Sequence, residues 1–173
     1  MRIVGGRWRS RLVEFPERAG LRPTPDRVRE TLFNWLGQDL DGLVCLDLFA
    51  GSGALGFEAA SRRAARVVLV ERDPAAIAAL AGNRERLGAA AVEVVRADAL
   101  AFLERSTAMF DLVFLDPPFG QNLAAAALAR LPGRITKGAR VYVEAERAVE
   151  APGWQVLKHG RAGQVLYQLL QAG

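Results

Sequence analysis

Apolar positions recur along this chain with two different periods, and their alternation sets the expected architecture. Short β-branched or apolar runs at 43-LVCLDL-48, 66-RVVLVE-71, 92-VEVVRA-97 and 110-FDLVFL-115 read as strands, each followed by a stretch with helical spacing. The helices are expected at about 54–63, 74–87, 98–104 and 123–130. Asp73 is placed to cap the second of these, with Pro74 at its first position. After residue 131 the pattern changes to three strand-like runs, 139-ARVYVEA-145, 154-WQVLK-158 and 164-QVLYQLLQ-171, with the 160-GRAG-163 turn between the last two. Ahead of the first strand, 24-TPDRVRETLFNWLG-37 offers Val28, Leu32, Trp35 and Leu36 to one helical face, and residues 2 to 15 suit a small hairpin across Gly5-Gly6. The expectation is an α/β fold with a mostly parallel seven-stranded sheet, helices on both faces and an antiparallel C-terminal hairpin. A basic N-terminal extension and helix (1–37) would precede the core (38–173) within one domain.

Composition adds limits. At 173 residues the chain can bury a core without a staple. One cysteine, Cys45, excludes an internal disulfide, and one Cys with one His excludes a Cys/His zinc site, so no metal is expected. No apolar run approaches the ~20 residues of a membrane span and the first residues lack a signal peptide's apolar stretch, so no membrane is expected and a cytoplasmic location is.

Charge is unevenly spread. Residues 1–36 hold eight arginines against four acids, whereas the remainder holds fifteen basic and fifteen acidic residues, so the net +4 lies in the first fifth. Arg2, Arg7, Arg9 and Arg11 precede every acid, the footprint of a polyanion-binding surface or simply a solvated terminus. Trp8, between Arg7 and Arg9, could stack on a base or pack inside. The Gly5-Gly6 turn is expected to project these arginines beside the catalytic pocket.

Four motifs carry chemistry. In 51-GSGALG-56 the glycines permit a tight turn and close approach of a ligand to the backbone, and Gly51 and Gly53 are the candidate contacts. Glu71 lies twenty residues after Gly51 at a strand end, where a carboxylate suits ribose hydroxyls. Asp47, just before the Gly turn, would repel a pyrophosphate but suits an amino group. Asp98, after the third strand, could accept from an adenine amino group or cap the next helix. The fourth motif is 116-DPPF-119. Here the Asp116 carboxylate and Pro117 carbonyl could accept both protons of an exocyclic amino group, with Phe119 as a stacking face.

The ordered series DLFAGSG, VLVERD, RADAL, DPPF resembles a Rossmann-like class I S-adenosylmethionine-dependent methyltransferase of the amino-methylating type. With the opening RIVGGRWRSRLVEFP and 22-RPTPDRVRETLFNWL-36, the chain is similar to the RsmD family of 16S rRNA guanine-N2 methyltransferases. The resemblance implies S-adenosylmethionine as donor and 16S rRNA as partner, within the small ribosomal subunit or its assembly intermediate. It places Asp47, Gly51, Gly53, Glu71 and Asp98 on the donor, Asp116 to Phe119 on the target base, and Arg22 to Arg29 near the site. An adenine-N6 methyltransferase, a non-catalytic RNA-binding assembly factor and a NAD-dependent dehydrogenase remain alternatives. The first shares DPPF, the second would need neither DPPF nor the Gly loop, and the third leaves DPPF unexplained.

Overall fold

Alternation of apolar side chains along each central strand fills two cores, one on each side of a single sheet. In the computed structural model, which describes residues 1–17 and 23–173, the strands are β1 (Val44–Asp47), β2 (Arg66–Glu71), β3 (Val92–Arg96), β4 (Phe110–Leu115), β5 (Ile135–Ala145), β6 (Trp154–Ala162) and β7 (Val165–Ala172). The helices are α1 (Asp26–Leu36), α2 (Ala54–Ser61), α3 (Pro74–Leu87), α4 (Ala99–Arg105) and α5 (Leu123–Arg130). Cys45, Val67, Leu69, Leu112 and Phe114 face α1, α2 and α3, while Leu46, Val68, Val70, Val113 and Leu115 face α4 and α5.

The sheet order is β3-β2-β1-β4-β5-β7-β6. Pairing is parallel from β3 through β5 and antiparallel at β5–β7 and β7–β6, which agrees with the mostly parallel sheet and terminal hairpin expected. Helix α3 starts as its sequence suggests, with the Asp73 carboxylate accepting from Ala76 N at 2.8 Å.

Two boundaries differ from expectation, and glycines explain both. Strand β5 begins at Ile135 and not at Ala139, with its register to β4 shifting across the Gly138 region, where φ is +77°. Strand β6 runs on through Gly160 to Ala162, so three of the four residues expected in the turn pair with β7 inside the ladder instead. A Cβ on Gly160 would lie 2.6 Å from the Tyr167 hydroxyl, so this glycine makes room for a ring; the chain turns at Gly163, with φ of +58°.

The N-terminal segment forms the expected small hairpin, with Arg2 bridging Leu12 and a 3-10 turn at Gly6–Trp8. A buried ion pair fastens it to the core. Arg29 of α1, 1% exposed, donates from one guanidinium nitrogen to Glu58 Oε1 of α2 at 2.7 Å and to Arg2 O at 3.0 Å, and from Nε to Thr24 O at 3.0 Å. Glu58 also receives Val4 N and, at 3.3 Å, Arg62 Nε. Removing one partner of such a pair strands the other in a low-dielectric interior.

Arg29→Met is therefore expected to destabilise the protein by about 3 kcal/mol or more. Urea unfolding checks this, and a loss under about 1 kcal/mol would show that Arg62 alone satisfies Glu58.

Candidate active site

The strand order reverses between β1 and β4, and a doubly wound sheet opens its crevice at the carboxyl ends of that pair. Because Asp47 pairs with Phe114, the DPPF turn leaves β4 directly beside the end of β1. Parallel pairing thus brings the carboxyl-terminal acids of several strands to one edge.

Asp47 is 2% exposed, and its Oδ2 accepts from Gly56 N at 3.0 Å. Burial pushes its carboxyl up to about 7, against the Gly56 N–H; the charges of Glu71 and Glu144 push the same way. Gly51 and Gly53 have φ of +54° and +80°, so the loop after β1 turns in left-handed conformations. Gly56 serves packing: a Cβ there would come within 2.1 Å of Leu69. Glu71 Oε2 accepts from Gly51 N at 2.9 Å and its Oε1 from Arg72 N and Asp73 N at 3.1 Å each. The acid expected on the ribose therefore also braces the Gly loop. Asp98 caps α4, accepting from Ala101 N at 3.1 Å; of the two roles open to it from sequence, the helix cap is the one its own contacts display.

Asp116 is half-buried, Pro117 is buried, and Phe119 is 46% exposed. Burial raises the Asp116 carboxyl well above its ordinary value; Glu144 and then Asp47 add to the rise, and a Thr24 hydrogen bond opposes it.

Three residues of this edge escape a sequence reading. Glu144 on β5, 6% exposed, accepts at Oε1 from Tyr142 OH at 2.7 Å and from Thr24 Oγ1 at 3.0 Å. Its one sequence signal is an acid near the end of an apolar strand. Among the described residues no arginine or lysine pairs with Asp47, Asp116 or Glu144. The segment Arg22 to Arg29 divides: Arg22 lies outside the described residues, Thr24 reaches Glu144, and Arg29 is sealed against Glu58.

The arginine-bearing hairpin tip is not beside this edge. Trp8 N donates to Ser61 Oγ at 3.0 Å and Ser61 Oγ to Gly5 O at 2.6 Å, at the far end of α2 from the Gly loop. Arg62, the next residue, accepts at its carbonyl from Leu40 N, so the tip sits by the amino edge of the sheet. The expected projection beside the pocket fails because Gly6, whose Cβ would lie 2.1 Å from Ser61 O, lets the turn dock there. Arg2, Arg7, Arg9 and Arg11 are exposed. Trp8 is 7% exposed with the Arg7 guanidinium 4.6 Å from its ring centroid, so the surface offers a guanidinium plane and not an indole face.

The crevice is thus strongly acidic, with a positive-φ glycine loop at its floor. This set fits a nucleoside carrying positive charge, such as S-adenosylmethionine, and opposes a pyrophosphate. No group of His, Cys, Asp and Glu among the described residues is arranged to hold a metal, and no helix among them is long and apolar enough to cross a membrane.

Residues 1–171 match the family described as conserved hypothetical protein 95. The chain is 44% identical over 177 residues to ribosomal RNA small subunit methyltransferase D of Escherichia coli (strain K12), covering 99% of this chain and 89% of that one. It is 42% identical to the protein of the same name from Haemophilus influenzae, covering 99% and 93%. The solved structure of a candidate methyltransferase, yhhF from Escherichia coli, superposes with a TM-score of 0.90 at 43% identity over 99% of this chain and 97% of that one.

The raised carboxyls set a pH dependence. A carboxyl whose folded pKa exceeds its unfolded value, here about 7 against 3.8 for Asp47, contributes stability fully present below the unfolded value and lost as pH rises through the folded one. Asp116 acts in the same direction. Asp47→Asn is expected to be more stable than wild type at pH 8 by on the order of 2 kcal/mol, an advantage that vanishes near pH 4. Denaturant unfolding at both pH values tests it, and an equal difference at the two would contradict it.

Proposed function

We propose, from the premise that this chain belongs to the conserved hypothetical protein 95 family, the RsmD family, that it methylates the exocyclic N2 of a guanine in 16S rRNA with S-adenosylmethionine as donor. The observation that carries the reading is the Asp116-Pro117-Pro118-Phe119 turn leaving β4 beside the buried Asp47 at the end of β1. The names of the relatives support ribosomal RNA of the small subunit as the acceptor.

The roles then divide between donor and acceptor. Asp47 faces the positive end of the donor, the Gly51 and Gly53 loop admits it to the backbone, Glu71 takes the ribose hydroxyls and Asp98 the adenine amino group. When bound, S-adenosylmethionine supplies an electrophilic methyl group. An exocyclic amino group is a poor nucleophile because its lone pair is delocalised into the ring. Accepting both of its protons, at the Asp116 carboxyl and the Pro117 carbonyl, favours a pyramidal nitrogen, and the two fixed proline φ angles hold those acceptors still. Phe119, exposed at the rim, stacks on the flipped base. Arg2, Arg7, Arg9 and Arg11 grip phosphates of an RNA segment away from the target base. The length of α2, roughly 12 Å, separates them from the Gly loop.

Incubation with labelled donor and separate acceptors (16S rRNA, small subunits, tRNA, duplex DNA) is expected to yield N2-methylguanosine in the first two alone. Label in DNA adenine would overturn the substrate, and no transfer to any acceptor would leave a binding protein.

Asp116→Ala is expected to lower turnover at least about a hundredfold, near 3 kcal/mol in barrier, with binding of S-adenosylhomocysteine nearly unchanged by calorimetry. Glu71→Ala should do the reverse, weakening that binding about tenfold or more because it loses both the ribose acceptor and the brace on Gly51 N. Replacing Arg7 and Arg9 by Gln should reduce the salt dependence of RNA affinity by about two ion equivalents while sparing donor binding. An unchanged slope would remove the hairpin tip from the RNA surface.

A further inference from the structure

Glu144 and the two hydroxyls that hold it form a buried polar group that the methyl-transfer reading does not use. Leu115 of β4 pairs with Val143 of β5, so Asp116 and Glu144 are the next positions on adjacent parallel strands. Their carboxyls lie within hydrogen-bonding reach of each other, and the Thr24 hydroxyl, which donates to Glu144 Oε1 at 3.0 Å, lies against Asp116 as well. An ionised carboxylate only accepts, so a hydrogen bond between two carboxyls demands a proton on one of them. Two like charges this close in a desolvated site do not both ionise, and the pair carries one proton and one negative charge. The groups facing it are Asp47 from β1, Tyr142 from β5 and Thr24 ahead of α1, with Tyr167 of β7 behind Tyr142. None of these supplies a positive charge.

We propose that Glu144 is a positioning residue for methyl transfer, holding the Asp116 carboxyl through a shared proton so that the pair takes up the proton the methylated amino group sheds. The inference rests on the methyltransferase reading of this site. The amino nitrogen takes a methyl in place of a proton. The bond formed is nitrogen–carbon, the bond broken is sulfur–carbon with its electron pair left on sulfur, and the displaced proton passes to the Asp116–Glu144 pair. The pair goes from one negative charge to none and returns the proton to water after product release. Tyr142 and Thr24, donating to Glu144 Oε1, keep its carboxyl directed at Asp116.

The first test needs neither donor nor RNA. At about pH 8.5, above the range where Asp47 titrates, infrared spectra of the wild-type protein should show a protonated-carboxyl stretch that Glu144→Gln and Asp116→Asn each remove. A wild-type spectrum without that stretch overturns the shared proton. The second test is kinetic. Glu144→Gln keeps an oxygen for Thr24 and Tyr142, so kcat should fall about tenfold with KM for RNA changed less than about twofold. The acid limb of the kcat profile should move about one pH unit higher, because Asp116 alone lacks the shared proton that stabilises the pair's single negative charge. Tyr142→Phe should move that limb higher, since Glu144 loses a donor that favours its charged form. If Glu144→Gln does not fold, Tyr142→Phe decides by itself. A limb unmoved in every folded variant rejects the proposal. A wild-type protein inactive on all acceptors defeats the methyltransferase reading instead, and the infrared comparison still decides whether the pair shares a proton.

Discussion

The Arg29 guanidinium, sealed against Glu58, is the contact on which the arrangement of this molecule depends. A charged pair inside a low-dielectric core is tolerable only when nearly every donor and acceptor is met, and here the partners come from four segments. Arg29 bonds the carbonyls of Arg2 and Thr24, and Glu58 bonds Val4 N and Arg62. One ion pair thereby positions the N-terminal hairpin, α1 and α2 together. It also carries Thr24 to the carboxyl edge of the sheet, where its hydroxyl meets Glu144.

That edge has the opposite character. Parallel strands end there together, and Asp47, Asp116 and Glu144 gather there without a basic partner among the described residues. The energetic cost is visible in the raised carboxyls of Asp47 and Asp116, for which burial is the leading cause. A fold selected for stability alone would place apolar residues in these positions. Crowded carboxyls become useful when a positively charged donor and a proton-releasing amino group occupy the crevice.

Charge is also divided across the length of α2. Its start holds the Gly loop and the acidic crevice; its end holds the hairpin tip with the exposed arginines. Under the proposed function, an RNA gripped at the tip would have to extend along the protein to reach Asp116, which favours a folded acceptor over a short strand. Arg7 lying over Trp8 lets the tip present a flat cation while the indole stays in the core.

Local rules carried the sequence reading a long way. Short apolar and β-branched runs located all seven strands, the Asp73-Pro74 signal placed the start of α3, and the Gly loop and DPPF marked turns at the carboxyl edge of the sheet, because each depends on residues within one turn or strand. Gly160 misled because a glycine that makes room for Tyr167 looks, in sequence, like one that makes a turn. The docking of the hairpin tip on Ser61 and the sealing of Arg29 against Glu58 were equally hidden, since counting arginines cannot distinguish a solvated guanidinium from a buried one. What the sequence by itself determined was the order of elements and the identity of the chemical groups. The tertiary structure alone decided which groups share an environment: Thr24 and Glu144 are 120 residues apart, and Asp116 meets Glu144 through strand register. Proton affinity depends on that shared desolvation, which no local pattern encodes.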